Sequence, residues 1–490
     1  MTHPAAWEPD RSHLFSPLLP FSRVLPAPRH HERVQAVALT LAAYAAATLL
    51  LLLPAFWNGY PLIYYDTVDY VRMPYTGVVP LFRTGSMVLF TAIAVPFNSL
   101  WPIIVLQGVL VVHVLHEALA VFVPQRRPAP LLVGVTLALT VFTGLPWFTS
   151  QILADAFTGS VVLGVATLAF GARRLGTVRA VGLAIILMGM TAAHTTHIGI
   201  VAGLALCCGA LHLLATYRGR AWTVLRAGWR GPLAVLLGAV LFAVGANWAL
   251  TGRIFISQPN HVLLLARLVQ DGIAKRYLDA ECPHNTTLRL CAVREQLPPT
   301  ANDFLWGRSP FHQLGGWEGL ESEAEQILEG SLAQLPARHA LTALRLTGIQ
   351  LAMVRTGDGL VPMDWHIRRT LETFFPYEAQ SYLEAEQRTG IDFSLLNDLH
   401  VPVAYIGYAG LLLLFAVAWW RGDRRGAGLC LLVLLALLGN AFICGALSNP
   451  LDRYQGRLVW VPVLTVALAI ARLEYRRSRI TARSLLSVLA

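Results

Sequence analysis

Charge is scarce in this sequence. Only 13% of its 490 residues are Asp, Glu, Lys or Arg, against about 25% in an ordinary soluble protein, and its mean hydropathy is +0.55. A water-soluble chain of this length needs charge to cover its surface, and a disordered chain needs low hydrophobicity, so both classes are excluded. Lysine is almost missing: Lys275 is the only one, and every other basic side chain apart from histidine is an arginine. Cysteine is limited to six, with no CxxC pair to suggest a zinc site. There is no P-loop, no GxGxxG and no stretch resembling a cytosolic ATP-binding domain, which argues against ATP-driven transport. Internal repeats and low-complexity tracts are also missing.

Long apolar runs are present instead. A membrane-crossing helix needs about 20 mostly apolar residues, and ten stretches qualify: 35–54, 100–123, 131–148, 152–171, 178–193, 195–215, 231–250, 401–420, 427–447 and 456–472. The fifth and sixth form one run divided at His194-Thr195-Thr196-His197. A further piece, 84–97, is too short to span and reads as re-entrant or interfacial. The expected fold is mainly α: a polytopic bundle of about ten transmembrane helices with a mostly helical extracytoplasmic domain. The first span reads as an uncleaved anchor.

Arginine sets the orientation. With a cytoplasmic N-terminus, twenty-one arginines fall on the inside and only Arg72, Arg83 and Arg453 fall in short outside loops. Both termini are then cytoplasmic. The +10 net charge becomes a topology signal, so no nucleic-acid partner is expected; membrane lipids are. The resulting organisation is a cytoplasmic tail (1–34), a transmembrane module (35–250) carrying an acidic outer loop (55–84), an extracytoplasmic domain (251–400), C-terminal spans (401–472) and a basic cytoplasmic tail (473–490). The 251–400 segment holds 13 basic and 18 acidic residues. Helical stretches are predicted over 260–280, 318–335 and 338–354, the last lying on the membrane or packing on the bundle. Cys282 and Cys291 flank eight residues in this exported segment and are expected to form a disulfide. Cys207, Cys208, Cys430 and Cys444 lie in apolar spans and read as small hydrophobes.

The embedded polar residues cluster at the outer ends of the spans, where ionisable groups suggest function. In Tyr64-Tyr65-Asp66-Thr67-Val68-Asp69-Tyr70, a helical conformation puts Asp66 and Asp69 on one face. Such a pair serves as a divalent-cation site (Mg or Mn) or as a general base, and both readings stay open. Arg83 offers a fork for phosphate. Asp155 opens the fourth span. His194 and His197 flank the turn between the fifth and sixth, with phosphate binding, metal binding or proton transfer in reach. Arg453 and Arg457 open the tenth span beside Asp452, Tyr454 and Gln455, where positive charge is otherwise avoided, and so suggest anion binding.

The arrangement resembles the GT-C class of membrane glycosyltransferases, which use polyprenyl-phosphate-linked sugars. The likeness rests on the acidic motif Tyr64–Tyr70 after the first span, on Phe82-Arg83-Thr84-Gly85-Ser86 followed by Gln107, and on a large outer segment late in the chain. The family's acids are adjacent or one apart, whereas two residues separate Asp66 from Asp69. The resemblance implies sugar transfer from a lipid-phosphate donor to an unspecified acceptor on the extracytoplasmic face of a bacterial inner membrane. Asp66, with Asp69 and Asp155, would be catalytic. Arg83, Arg453, Arg457, His194, His197 and Tyr65 would bind the donor. Two other readings stand beside it: a transporter or flippase of a lipid-linked glycan, and a non-catalytic partner in envelope polysaccharide assembly.

Overall fold

The computed structural model of the chain describes residues 30–79, 83–123, 128–217, 227–258, 260–285 and 287–489. The tail 1–29, with Arg11, Arg23 and Arg29, lies outside them, as do Phe82 and the loop arginines Arg126, Arg127, Arg218, Arg220 and Arg226; so do the side chains of the basic tail beyond Glu474. In chain order the principal helices are α1 (His30–Leu51), α2 (Tyr65–Thr76), α3 (Gly85–Thr91), α4 (Trp101–Phe122), α5 (Pro128–Phe142), α6 (Thr158–Leu175), α7 (Thr177–Ala192), α8 (Thr195–Tyr217), α9 (Arg230–Thr251), α10 (Asn260–Gln270), α11 (Ile273–Glu281), α12 (Glu321–Gln334), α13 (Pro336–Ala352), α14 (Asp364–Phe374), α15 (Ser394–Trp420), α16 (Arg424–Ala446), α17 (Asp452–Gly456) and α18 (Trp460–Leu489). Among the described residues there is no strand, only an isolated bridge between Leu62 and Gln151.

Among the described residues, eight helical segments are long and apolar enough to cross a membrane: Val34–Leu51, Trp101–Phe122, Ala154–Leu175, Thr195–Tyr217, Arg230–Thr251, Ser394–Trp420, Arg424–Ala446 and Asp452–Glu474. The protein is a polytopic helical membrane protein, and by length and composition this count is lower than the ten expected from sequence. The two that fall short are α5 and α7, with 15 and 16 residues. At 1.5 Å per residue they extend about 22–24 Å, less than the roughly 30 Å of bilayer hydrocarbon. Local chemistry cuts each of them. After α5, Gly144 precedes a separate five-residue helix, Leu145–Thr149, with Pro146 in its first turn. Gly176, at φ +76°, bounds α7 on one side, and the turn at Ala193-His194 bounds it on the other. Both still lie against full-length neighbours, α5 on α1 and α7 on α6 and α9. The 84–97 piece is too short to span, as expected. It forms α3 and a four-residue helix, Ala94–Phe97, with α3 set against α9 and α2.

Lipid is as apolar as leucine, so packing rather than hydrophobic burial holds such helices together. The helix α6 is the enclosed centre, with Val161, Val162, Leu163 and Val165 all buried. Its Gly159 admits Trp460 of α18: a Cβ there would lie 2.4 Å from the indole Nε1. On the outside of the bundle Leu41, Leu206, Leu241 and Leu413 are exposed, as a lipid-facing surface requires.

The 251–400 segment divides into parts rather than forming one domain. Residues 260–335 have their own core, built around Leu265, Leu278, Phe304, Phe311 and Ile327. Gly272, at φ +67°, splits the predicted 260–280 helix into α10 and α11. The Cys282–Cys291 disulfide is present, with an S–S distance of 2.08 Å. Helix α13 packs on the bundle against α16. Residues 363–385 join a different core, in which Met363, Ile367 and Phe375 meet Tyr60, Val68 and Ile104. This last contact places the segment directly over the acidic loop.

Candidate functional site

Local hydrogen bonds explain why the acidic motif folds as it does. The Tyr64 N–H donates to Thr67 Oγ1 at 2.9 Å, capping α2. Thr67 in turn donates its hydroxyl to the Ile152 carbonyl at 3.0 Å. The Leu62 N–H donates to the Ser150 carbonyl at 3.0 Å, and the Ile152 N–H returns a bond to the Leu62 carbonyl at 3.3 Å. Gln107 secures the same strip from α4 by donating to the carbonyls of Thr149 and Gln151 at 3.1 and 2.7 Å. The loop before α2 is thereby fixed to the segment that leads into Asp155. Above it, buried Gln387 clamps Ile63 through both main-chain groups, at 2.9 and 2.6 Å. Gly359 has φ +77°, and a Cβ on it would lie 2.1 Å from the Tyr64 ring, so only glycine lets this ring in.

Arg83 enters from the other side. Thr84 donates to the Ala193 carbonyl at 3.0 Å, and the Gly85 N–H donates to Asn247 Oδ1 at 2.8 Å. These bonds fix the chain next to Arg83 against Ala193 and Asn247, and the Arg83 side chain lies over α2.

The result is a chain of alternating charge. Asp66 and Asp69 share one face of α2, and Arg83 spans both: its Nη2 is 2.6 Å from Asp66 Oδ1 and its Nε 3.1 Å from Asp69 Oδ2. Arg453 Nη1 stands 3.8 Å from Asp66 Oδ2 and 3.7 Å from Asp155 Oδ2. Arg457 donates to Asp155 Oδ1 and, at 3.1 Å, to Asn440 Oδ1. Read in order, the ladder is Asp69, Arg83, Asp66, Arg453, Asp155, Arg457. Three carboxylates balance three guanidinium groups, which makes deep burial tolerable. Aromatic faces line it. The guanidinium carbon of Arg453 lies 4.2 Å from the Tyr64 ring centre and 4.7 Å from that of Tyr454; Arg83 lies 5.4 Å from Tyr70.

The ladder has a closed end and an open end. Side-chain exposure rises from 0% at Arg457 and 3% at Asp155, through 9% at Arg453, to 16% at Asp66 and 24% at Asp69. Not every polar atom is used. Asp155 Oδ2, Arg453 Nε and Nη1, and Arg457 Nε are buried and make no hydrogen bond within the protein. Burial works against ionisation of Asp66, but Arg83 and Arg453 outweigh it and hold the carboxyl below its usual range. Burial likewise disfavours charge on Arg83, yet Asp66 keeps its guanidinium protonated more firmly than usual. His194 is pushed down to about 4 by burial and the neighbouring Arg457, so it is neutral at pH 7.

Five of the sequence-selected residues thus form the ladder with Arg83: Asp66, Asp69, Asp155, Arg453 and Arg457. Two of these differ locally from expectation. Asp155 lies in a 3-10 turn, Ala154–Phe157, ahead of α6. Arg457 lies in the turn between α17 and α18 rather than within an apolar helix, held there by Asp155 and Asn440. His197 corrects a binding expectation. It is fully buried, with Nε2 2.7 Å from Thr158 Oγ1 and Nδ1 2.9 Å from the Met190 carbonyl, so both ring nitrogens are spent on structure. Arg72 is exposed on α2 and takes no part in the ladder.

Tyr65 is 42% exposed and forms a ring cluster with Trp365 and His366 of α14, at centroid distances of 5.8 and 5.9 Å. Nothing local in the sequence pointed to Trp365 or His366, which stand some 300 positions away. Asn440 lies inside the apolar run 427–447, and nothing local in the sequence pointed to its role as the orienter of Arg457.

Among the described residues no group of three or more His, Cys, Asp or Glu side chains is arranged to hold a metal ion. Asp66 and Asp69 are already spanned by a guanidinium, and the third carboxylate, Asp155, faces Arg453 and Arg457. As arranged, this donor set does not fit Mg or Mn, which need several oxygen ligands converging on one point. No family model, curated protein or solved structure matches the chain.

Proposed function

We propose that the protein is a membrane glycosyltransferase that moves a sugar from a polyprenyl-phosphate donor to an acceptor hydroxyl. The observation that carries this reading is the ladder's open end: a partly exposed carboxylate, Asp66, backed by the arginines Arg83 and Arg453. The donor's phosphate accepts hydrogen bonds from these two groups, using the free Arg453 atoms. In doing so it draws positive charge away from Asp66, whose basicity rises. Asp66 then takes the proton of the acceptor hydroxyl as its oxygen attacks the anomeric carbon. The bond from that carbon to the phosphate oxygen breaks, and the arginines stabilise the negative charge that grows on the departing polyprenyl phosphate. Arg457 and Asp155 set Arg453 in place. Neutral His194 adds a hydrogen-bonding ring beside the phosphate, and the exposed faces of Tyr65 and Trp365 stack against a sugar ring. No step is routed through a metal.

The arginine bias of the loops supports placing this end of the bundle on the extracytoplasmic side of a bacterial inner membrane, with both termini cytoplasmic. A transporter would need polar groups free at mid-membrane on broken helices. Asn247 and Asn440 are instead bonded to Gly85 and to Arg457, which favours the enzyme. The test uses protein reconstituted in liposomes with a panel of labelled polyprenyl-phosphate sugars and a membrane extract as the source of acceptor hydroxyls, following release of polyprenyl phosphate together with labelling of the acceptor. Wild type releases it, with or without EDTA, and Asp66→Asn does not. Full release by a well-expressed Asp66→Asn variant would sink the proposal.

A further inference from the structure

A second cationic site lies away from the ladder, where the 260–335 unit meets α13. A cavity of about 760 Å³ opens there, lined by Arg267, Arg276, Arg338 and Arg345 against a single carboxylate, Asp271. Arg267 is 2% exposed. It is held at 2.7 Å by Asp271 and at 2.6 Å by Asn449, and its Nε makes no hydrogen bond within the protein. Arg276, Arg338 and Arg345 are exposed and form no salt bridge with a described carboxylate. Four guanidinium groups facing one carboxylate in a shared cavity repel one another unless an anion enters. The same rim also carries leucines. Arg338, Leu341 and Arg345 recur at helical spacing on α13, and Leu341 and the nearby Leu344 are 68% and 71% exposed. Helix α13 lies against α16, which is apolar enough to cross the membrane, and their backbones touch where Gly445 meets the Leu346 carbonyl. Bare leucines framed by arginines, beside a membrane-crossing helix, match an interfacial position.

We propose that this cavity binds the phosphate of an anionic lipid, with the headgroup among the four arginines and the chains over Leu341 and Leu344. Recognition is by guanidinium forks on phosphate oxygens. Asn449, which holds Arg267, lies in the loop that leads into α17. A bound headgroup therefore borders the segment that carries Arg453.

The test is a binding measurement and needs no transfer activity, so it stands or falls separately from the glycosyltransferase reading. Full-length protein in phosphatidylcholine nanodiscs is titrated with phosphatidylglycerol, with further phosphatidylcholine and with inorganic phosphate, and thermal unfolding is recorded. Phosphatidylglycerol raises the unfolding temperature, and phosphatidylcholine does not. Arg338→Ala/Arg345→Ala, at exposed positions, weakens the apparent affinity about tenfold or more, while Arg338→Lys/Arg345→Lys loses less. Inorganic phosphate acting as strongly as the lipid would keep the phosphate site and reassign its source to a soluble anion. The proposal is overturned if neither anion shifts the transition, or if the shift persists undiminished in the double alanine variant.

Discussion

The two ends of the helix bundle use arginine in opposite ways. At one end Arg83, Arg453 and Arg457 meet carboxylates and aromatic faces, linked into a single ladder with several polar atoms unused. At the other end arginines meet carbonyls near helix termini. Arg174 donates to the Val121 carbonyl at 2.8 Å, Arg472 to the Phe122 carbonyl at 3.3 Å and Arg425 to the Phe170 carbonyl at 3.1 Å. The carboxylates there sit in separate clusters, Asp423 with Arg472 and Glu117 with Arg179. An arginine that closes a helix end satisfies backbone acceptors that would otherwise lack partners. An arginine suspended between carboxylates holds charge ready for exchange with an incoming anion. The first arrangement is architecture, and the second is the one on which the proposed function rests.

The sharpest way to break this comparison is to remove one rung at the closed end. Arg457→Ala leaves Asp155 buried without its closest counter-charge, and the expected loss is about 3–5 kcal/mol, read as thermal unfolding in detergent. Asp155→Asn/Arg457→Gln recovers a large part of it. A loss no greater than that of the exposed Arg421→Ala would show that the ladder is not a coupled unit. At the open end, the proposed function predicts that Asp66→Asn lowers sugar transfer by about 10²–10⁴-fold with a much smaller loss of stability, because Asp66 is partly solvated. Removing the Cys282–Cys291 link by paired serine substitutions costs the 260–335 unit about 2–3 kcal/mol for so short a loop. Hydrogen exchange should show that cost confined to α10–α12, with transfer unchanged.

Smaller effects belong to the architectural end. Arg472→Ala is expected to cost about 1–3 kcal/mol and to leave transfer at the wild-type rate; a clear fall in transfer would join the two ends functionally. A separate test, read as a pH profile, is the response of His194. Its folded-state value of about 4 lies below the ordinary 6.5, so the unfolded chain takes up the proton first. The stability this neutral ring contributes is intact above pH 6.5 and falls away as pH drops from 6.5 to about 4. His194→Gln should flatten the stability profile within that window and leave it unaltered above.

Much of this was legible in the sequence, residue by residue. Asp66 and Asp69 three apart announced a shared helix face, and α2 supplies it. Arg457 stood out because an apolar run gave it no reason to be there. Cys282 and Cys291 stood out because a short loop in a segment read as exported held both. Other features left no local trace. The spacing of His194 and His197 suggested equal partners, yet the first turn of α8 buries His197 between Thr158 and Met190. The expected span 131–148 looked continuous to a hydropathy sum, which cannot register the break at Gly144. Cys444 read as an inert hydrophobe, but its Sγ lies 3.4 Å from Arg457 Nη2.

By itself the sequence determined the class of the molecule, its apolar helices and the set of polar residues worth watching. Hydropathy and charge bias are sums over neighbours in the chain, and those sums are settled before folding. Only the tertiary structure decided which charge faces which. The two ends of the ladder join residues 14 apart, Asp69 and Arg83, and residues 302 apart, Asp155 and Arg457. Partners at such separations are chosen by helix packing and by the cost of leaving a buried charge alone, and neither is written in a local stretch of sequence.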